Sequence, residues 1–339
     1  MADTTAIEWT DTTWNPVTDC TKVSDGCTNC YAETFAERWR GTHGHHFRGG
    51  FDITLRPERL PLPLPRQWTK PLRVFVDSMS DLFHQDVPDA YIAQVWAVMA
   101  LTPQHTFQVL TKRHARMKAL LSRPSFWHQV AEQGREHFAD CQQDWLAAGA
   151  MLGGKPLPHV WLGVSVEDQR WADIRIPTLL ETPAAVRFLS CEPLLGPLDL
   201  KRAVIPMSSE RGRGLTASFH AGGCCQRRFH GIDWVIAGGE SGPGARPVHP
   251  QWLRDLRDQC AWAGVPFFLK QWGAYAPEAH GHARGRVALI DAQGRTWDGG
   301  DPSAAPDAIR MRRVGKKHAG RLLDGQCHDA APGPARRAA

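Results

Sequence analysis

Short runs of uniformly apolar residues recur along the chain, and each run ends in polar residues or glycines. The six runs are RVFV (73–76), TFQVL (106–110), HVWLGV (159–164), VRFL (186–189), DWVIA (233–237) and PFFL (266–269). They are rich in β-branched and aromatic residues, which is typical of parallel strands buried on both faces. Stretches with apolar residues at helical spacing separate the runs. This alternation predicts an α/β fold with a parallel sheet.

The residues that end the strands distinguish between two architectures. An open doubly wound sheet collects its functional residues at one switch point, whereas a barrel places them at the carboxyl end of nearly every strand. All six runs end in charged, hydroxyl or glycine residues. We therefore predict a partial (β/α) barrel over residues 1–275, with insertions at about 122–158 and 201–231.

The regions outside the six runs are assigned from local pattern. A short first strand is predicted within 6–16, and the apolar spacing of YAETFAERW predicts a helix from residue 31. The C-terminal extension, 276–325, contains RVALIDAQGRTW, in which Gly294 suits the turn of a strand pair. It also contains the basic segment RMRRVGKKHAGRLLDG. The Ala/Pro/Arg-rich tail, 326–339, is predicted to be disordered.

Composition and charge narrow the class of protein. With 42% hydrophobic residues, the 339-residue chain can bury a substantial core. A net charge of +5 is mildly basic, which favours contact with a polyanion without requiring it. The start of the chain lacks a signal-peptide pattern, and no apolar run approaches the length of a membrane span. We expect a soluble, cytoplasmic protein with no membrane contact.

Three of the nine cysteines, Cys20, Cys27 and Cys30, have the spacing C-x6-C-x2-C. Clustered thiolates select zinc, copper(I) or iron–sulfur clusters. A structural zinc site requires a fourth ligand, and the sequence has no second C-x2-C. Three cysteines on a four-iron cluster leave one iron open, which is the arrangement of a reactive site. The spacing therefore favours a 4Fe-4S cluster.

A zinc knuckle is the alternative interpretation of the same motif. It would take its fourth ligand from a histidine, and the nearby loop supplies His43, His45 and His46. A second group of metal-ligand types lies in the second insertion, where His220, Cys224, Cys225 and His230 occur together. Adjacent cysteines seldom bind one metal, so this second group is the weaker candidate.

Many motifs together give the chain a family resemblance from about residue 7 to residue 325. It resembles a phage-encoded three-cysteine-motif family, which is classed as a domain of unknown function and related to radical S-adenosylmethionine proteins. The motifs are TWNPVTDCTKVSDGCTNCYAE, FVDSMSDLFH, VLTKR, WLGVSVED, SCEPLLGPLDL, WVIAGGESGPGARP, PFFLKQWG and VGKKHAGRLLDG. The resemblance implies a 4Fe-4S cluster with S-adenosylmethionine, and Cys20, Cys27 and Cys30 as the cluster ligands.

The chain departs from the family pattern in two places. The usual radical enzyme signature is C-x3-C-x2-C, so the first gap of six residues is a longer variant. After LDG the family tends to have a tryptophan and then a proline, whereas this chain has Gln326, Cys327 and His328.

The resemblance also implies residues that bind the cofactor. In radical enzymes of this type, a turn after the next strand holds the methionine amino group, and residues 77–81 occupy that place in order. Carboxylate and hydroxyl acceptors suit an ammonium group, so Asp77 and Ser78 are the candidates; the alternative is that Asp77 caps the next helix. The turn at Gly238, Gly239, Glu240 and Ser241 could hold the cofactor's carboxylate or ribose, although tight packing also explains its glycines.

Charged residues at other strand ends are the candidates for chemistry on a substrate. Glu192, Lys112 and Lys270 are predicted at the barrel mouth, as is Glu167. Several charges around one mouth perturb each other's ionisation, which is common at functional sites. Structural ion pairing is the alternative for each of them.

Two functions follow from these expectations. The first is an enzyme that accepts an electron from a donor and cleaves S-adenosylmethionine to a 5'-deoxyadenosyl radical, which acts on an unknown substrate. The second is a zinc-binding, non-catalytic phage protein in nucleic-acid transactions, supported by the basic segment 310–317. The sequence does not decide whether the substrate is a nucleic acid, a nucleotide or a protein, or whether a partner protein is required.

Overall fold

The structure of the chain, a computed structural model, describes residues 5, 7–65, 67–138, 156–201, 231–281 and 283–333. Its main feature is a seven-stranded sheet with parallel strands, and helices connect many of these strands along the chain. In sheet order these strands are β1 (Thr12–Trp14), β4 (Arg73–Val76), β5 (Thr106–Thr111), β6 (Val160–Ser165), β7 (Val186–Cys191), β8 (Trp234–Gly238) and β9 (Phe267–Gln271). The predicted α/β class is confirmed.

The strand order distinguishes between the two predicted architectures. Each strand follows its predecessor in the chain without a reversal, whereas a doubly wound sheet reverses direction at a switch point. The sheet therefore has the strand order of a (β/α) barrel. Because β1 and β9 are at its two ends, it is a partial barrel, as predicted.

All six predicted apolar runs overlap a strand of this sheet, and β1 falls within the predicted first strand. The runs became strands because their side chains are buried on both faces. Every residue of β6 and of β8 is buried, which leaves no polar face on either strand.

Contacts divide the chain into two compact units. The first unit consists of Met1–Ser165, Thr178–Phe188 and Gly333–Ala339. The second unit consists of Val166–Pro177 and Leu189–Pro332. The cysteine motif lies in the first unit, and the glycine-rich turn lies in the second.

The first unit pairs β1 with β4, β4 with β5 and β5 with β6, all in parallel. A small antiparallel pair joins β2 (Val17–Thr18) to β3 (Thr54–Leu55). Its helices are α1 (Tyr31–Glu37), α2 (Asp89–Leu101), α3 (His114–Leu121) and α4 (Pro124–His137). Aromatic side chains fill the core under β1, where Trp9 lies 4.6 Å from Phe75 and Trp14 lies 5.8 Å from Phe107, between ring centroids.

The second unit contains β8 paired in parallel with β9. Helix α5 (Gln169–Leu180) begins in this unit, and α6 (Pro250–Ala263) lies wholly within it. The ends of α6 follow from its sequence. His249 accepts a hydrogen bond from the Gln251 amide as the N-cap, Pro250 starts the first turn, and Gly264 ends the helix with a φ of 67°.

A second, antiparallel sheet follows β9 in the same unit. Its strands are β10 (Tyr275–Pro277), β11 (Val287–Ile290), β12 (Thr296–Asp298) and β13 (Ile309–Arg313), and α7 (Lys316–Ala319) comes after it. The pair β11 and β12, with Gly294 in the turn at a φ of 90°, matches the predicted strand pair. Part of the basic segment is thus a strand, and Arg310 and Arg312 in it form ion pairs with Glu278.

The beginning of the predicted disordered tail has defined backbone partners. The Leu269 amide donates to the His328 carbonyl over 2.9 Å, and the Trp234 indole donates to the Ala330 carbonyl over 2.8 Å. An isolated antiparallel bridge joins Phe268 to Asp329. Residues 328–330 therefore lie beside β9 and contact it.

Two of the predicted regions lie largely outside the described residues. These are 139–155 of the first insertion and 202–230 of the second, the latter with His220, Cys224, Cys225 and His230. Within the described residues, no helix is both long enough and apolar enough to cross a membrane.

Candidate functional site

The three cysteines of the motif occupy three different local structures. Cys20 follows Asp19, which forms an isolated bridge with Ser80. Cys27 ends the short 3-10 helix Asp25–Cys27, and Cys30 is the N-cap residue of α1. All three thiols are free and partly exposed. The predicted helix directly behind the last cysteine is confirmed.

Burial and mutual repulsion control the ionisation of these thiols. Burial raises the pKa of Cys20 to about 12 and also raises the pKa of Cys30. Cys27 further raises both values, so its sulfur is close enough to repel a negative charge on either neighbour. The backbone amides of Ala32 and Glu33 oppose the shift at Cys30. Cys20 and Cys30 are therefore protonated at neutral pH, and a metal ion would have to displace their protons.

The thiols do not form a finished metal site. Within the part of the chain that the structure describes, no three His, Cys, Asp or Glu side chains are grouped so as to hold a metal ion. The donor set still fits a thiophilic group, because three sulfurs lie in one loop and interact electrostatically. Metal binding would require the loop to draw the sulfurs together.

Hydrogen bonds join the start of the cysteine loop, residues 15–30, to the strand-end loop of β4, residues 77–81. The Asn15 side-chain oxygen accepts from the Ser78 hydroxyl and from the Met79 amide, each over 3.1 Å. Three further bonds connect the segments: Val17 N–H to Asp77 Oδ1 (3.0 Å), Ser80 Oγ to the Val17 carbonyl (3.0 Å) and Asp19 N–H to the Met79 carbonyl (2.9 Å). The position of Cys20 is thus fixed by the strand-end loop of β4.

Asp77 is buried where the strand-end loop of β4 contacts the cysteine loop. Its side chain is buried, its φ is 57°, and Oδ2 has no hydrogen-bond partner among the described residues. Burial raises the pKa of Asp77 well above its ordinary value. The N-cap of α2 is Pro88, so the alternative that Asp77 caps the next helix is wrong. Asp77 holds the cysteine loop, and Ser78 is half-buried beside it with its carbonyl accepting from the Tyr31 hydroxyl.

Arg113 is the cation in contact with Cys20. Its Nη2 donates to Cys20 Sγ over 3.8 Å, to the Thr21 carbonyl over 3.1 Å and to Thr21 Oγ1 over 2.8 Å. His84 Nε2 lies 2.8 Å from the same hydroxyl. The Asp86 amide donates to His84 Nδ1, so Nε2 carries the proton and donates to Thr21. Burial and Arg113 lower the pKa of His84, which keeps the imidazole neutral.

Asp81 fixes the strand end from which Arg113 extends. Its carboxylate accepts from the Thr111 hydroxyl over 2.7 Å and from the Lys112 amide over 2.9 Å. Lys112, a predicted catalytic residue, follows β5 directly and is half-buried. The ends of β4 and β5 are therefore held to one another beside Cys20.

In the second unit, Glu192 and Lys270 form a partly buried ion pair. Lys270 Nζ lies 3.3 Å from Glu192 Oε1, and the side chains are 18% and 13% exposed, respectively. The Ser190 hydroxyl donates to Glu192 Oε2 over 3.2 Å. Gly238 makes room for this pair, because a Cβ on it would lie 2.9 Å from Glu192 Oε1.

The remaining residues of the glycine-rich turn have structural partners. A Cβ on Gly239 would lie 2.0 Å from the Trp272 carbonyl oxygen. Glu240 is buried and binds Arg246 through both carboxylate oxygens, at 2.9 and 2.8 Å. Ser241 is half-buried at the end of the turn. Tight packing thus accounts for Gly239, and ion pairing occupies Glu240.

Glu167 is also part of a structural ion pair in the second unit. It lies 2.8 Å from Arg175 Nη1, and both side chains are fully buried. The Arg175 guanidinium also stacks on the Trp171 ring at 3.9 Å. This arrangement agrees with the structural alternative for Glu167.

Two of the histidines proposed for a zinc site have other partners. His45 stacks on Trp39 with ring centroids 4.0 Å apart. Burial and the nearby Arg59 and Arg56 lower the pKa of His46 to about 4. Among the described residues, no hydrogen bond joins His45 or His46 to a cysteine.

The predicted residues fall into two groups. The first unit brings Cys20, Cys27 and Cys30 near Asp77 and Ser78, and the second brings Glu192 and Lys270 near Gly238. Sequence reasoning missed Asn15, Thr21 and His84. Their contacts join segments about 60 residues apart, and only the proximity of Asn15 and Thr21 to the cysteines could have indicated them.

Comparison with known proteins places the chain in a family. No curated protein and no solved structure matches it. The model of the family described as "Protein of unknown function (DUF5131)" matches residues 4–332. This match spans nearly the whole length, so the chain belongs to that family of proteins of unknown function.

Proposed function

We propose that the chain is an iron–sulfur enzyme of the radical S-adenosylmethionine type, with Cys20, Cys27 and Cys30 as ligands of a 4Fe-4S cluster. The observation that carries the proposal is the presence of three free, partly exposed cysteines in one loop whose start is anchored to the strand-end loop of β4. A role in phages or mobile elements is part of the same proposal and rests on motif resemblance alone.

The chain's own residues would hold and orient this group. When bound, the cluster and S-adenosylmethionine supply one-electron reduction and hydrogen abstraction from a substrate, with electrons from a separate donor. Cys30 is at the start of α1, where the amides of Ala32 and Glu33 favour a thiolate. The hydrogen bonds of Asn15 and Asp77 fix the backbone beside Cys20. Ser78 is a half-buried polar residue of the strand-end loop, and its hydroxyl oxygen suits an ammonium group.

Glu192 and Lys270 are the proposed residues for substrate chemistry. The carboxylate and the ammonium form an ion pair, and the Ser190 hydroxyl donates a hydrogen bond to the carboxylate. Such a pair can bind a polar substrate group or move a proton at Glu192 Oε1. Both side chains retain some exposure, which a residue that contacts a substrate requires.

Metal analysis after anaerobic reconstitution tests the ligand assignment. We expect about four irons and about four sulfides per wild-type chain. Cys20→Ala, Cys27→Ala and Cys30→Ala should each lose most of this iron, because each removes one of three protein ligands. Cys327→Ala is the matched control, since Cys327 is exposed and outside the motif. It should bind iron as the wild type does.

Cleavage of S-adenosylmethionine by the reconstituted chain tests the reaction itself. With dithionite as reductant, the wild type should form 5'-deoxyadenosine, and the three motif variants should not. Iron binding that survives all three substitutions together would exclude this ligand set. One stoichiometric zinc, with no iron after anaerobic preparation, would instead support the zinc-binding alternative.

A further inference from the structure

We propose that Arg113 is a positioning residue whose guanidinium contacts the sulfur of Cys20, one of the proposed cluster ligands. This inference rests on the proposed function and adds a residue to it. The two N–H groups of Arg113 Nη2 share three acceptors on Cys20 and Thr21, and the sulfur is 3.8 Å from the nitrogen. Arg113 thus contacts a proposed ligand atom directly.

Among the described residues, no carboxylate pairs with the charge of Arg113. Its side-chain hydrogen bonds go to a thiol sulfur, a carbonyl and a hydroxyl. Its Nε is buried and lacks an acceptor among the described residues. A buried donor without an acceptor is unfavourable, so this guanidinium retains unused capacity to bind an anion.

The surrounding residues hold Arg113 in this position. Its backbone amide donates to Thr111 Oγ1 over 2.8 Å, and Thr111 Oγ1 donates in turn to Asp81. Arg113 is also the N-cap residue of α3. At the other end, the neutral His84 binds the hydroxyl of Thr21. Both ends of the contact are therefore anchored before any metal binds.

A cluster with three thiolate ligands supplies the missing negative charge. Hydrogen bonds and positive charge near cluster sulfurs raise the reduction potential, because the reduced cluster carries one more negative charge. Arg113 would therefore ease the one-electron reduction that the proposed reaction requires. Without a metal, the protonated thiol of Cys20 carries no negative charge that could balance the positive charge of Arg113.

The test compares the reduction potential of reconstituted variants, measured by dithionite titration with electron paramagnetic resonance. Arg113→Gln should retain wild-type iron and sulfide and shift the potential to more negative values. We expect reduction about tenfold less favourable, equivalent to ~59 mV for one electron. Arg113→Lys, which retains the charge, should show a smaller shift. Arg123→Gln is the control, because Arg123 is an exposed arginine that pairs with Asp89.

The outcomes separate this inference from the proposed function. A wild-type chain without a cluster would refute the proposed function before any variant is compared. A loaded Arg113→Gln protein with an unchanged potential would overturn the role of Arg113, as would an equal shift in Arg123→Gln. If Arg113→Gln does not fold, Thr21→Val removes one anchor of the guanidinium and keeps the charge. An unchanged potential in both Thr21→Val and Arg113→Lys would then overturn the inference.

Discussion

Gly238 and Gly239 lack side chains because neighbouring atoms occupy the space that a Cβ would take. At Gly238 the nearest atom belongs to the Glu192 carboxylate, at 2.9 Å, whereas at Gly239 it is the Trp272 carbonyl oxygen, at 2.0 Å. A side-chain end can move, but a backbone carbonyl next to a strand cannot move far. The two glycines therefore differ in how much they tolerate a methyl group.

A series of alanine substitutions tests this difference. Gly239→Ala should destabilise the fold by about 3 kcal/mol or more, and Gly238→Ala by about 1 kcal/mol, because overpacking costs rise when backbone must shift. Gly300→Ala is the control, since a Cβ there meets no atom within 4 Å; its effect should stay within about 0.5 kcal/mol. Urea denaturation gives the three values. Equal losses at Gly238 and Gly239 would contradict the assigned contacts.

Asp77 should make the stability of the chain depend on pH. Because burial raises its pKa well above the ordinary value, the folded chain keeps the proton at pH values where the unfolded chain releases it. The contribution of Asp77 to stability is thus complete below about pH 4 and is lost as pH rises toward the folded pKa. Asp77→Asn retains an acceptor for Val17, tolerates the left-handed backbone and does not titrate.

The measurement for Asp77 is the free energy of unfolding at several pH values. We expect Asp77→Asn to gain stability relative to wild type steadily between pH 4.5 and pH 8. A constant difference over this range would show that Asp77 is already ionised in the folded chain.

At the scale of elements, the cysteine loop is stabilised by the loop after β4. Asn15 contributes one oxygen that satisfies both the Ser78 hydroxyl and the Met79 amide. The sequence does not reveal this connection, because Asn15 and Met79 are 64 positions apart and neither lies in a periodic segment. Strand β3 has only two residues, so no alternation in its sequence could have predicted it either.

Removal of the Asn15 side chain should loosen the cysteine loop. Asn15→Ala leaves two donors unsatisfied and should cost about 1–3 kcal/mol. Hydrogen exchange at the Val17 and Asp19 amides should accelerate, since both belong to the same connection. Ser78→Ala is the matched control, because it removes one donor and leaves the Met79 bond in place. Exchange that is equally fast in both variants would show that the Asn15 bonds do not hold the loop.

Strand β13 shows why an element can be hidden by its composition. The segment IRMRR reads as a solvated basic stretch, yet it pairs with both β10 and β11. Met311 is fully buried, and Glu278 forms ion pairs with both Arg310 and Arg312. Tertiary pairing therefore decides the conformation of a segment whose charge favours solvent. By contrast, uniformly apolar β-branched runs identify buried strands without knowledge of their partners.

At the scale of the whole molecule, the order of the strands was predictable and the division into units was not. Polar residues at every strand end correctly indicated the order of a partial barrel. No Pro- or Gly-rich linker marks the boundary between Ser165 and Val166, and both residues are buried. Boundaries of this kind arise from contacts distant in sequence, which local composition does not record.

Metal loading provides a prediction that involves the chain as a whole. A group that binds only the folded chain stabilises it in proportion to the logarithm of its concentration over the dissociation constant. The cysteine loop is bonded to the loop after β4, so protection on loading should appear in both segments. We expect slower hydrogen exchange at Asp19 and at Ser80 after anaerobic reconstitution, and unchanged exchange in the β11–β12 hairpin.

Cys20→Ala treated in the same way is the control for this experiment, because it keeps the hydrogen bonds of both loops and lacks one ligand. Its exchange should remain at the metal-free rate. Protection confined to the residues between Cys20 and Cys30 would mean that the two loops respond independently. Protection that reaches Ser80 requires the bonds of Val17 and Asp19 to transmit the constraint, since Ser80 is not itself a proposed ligand.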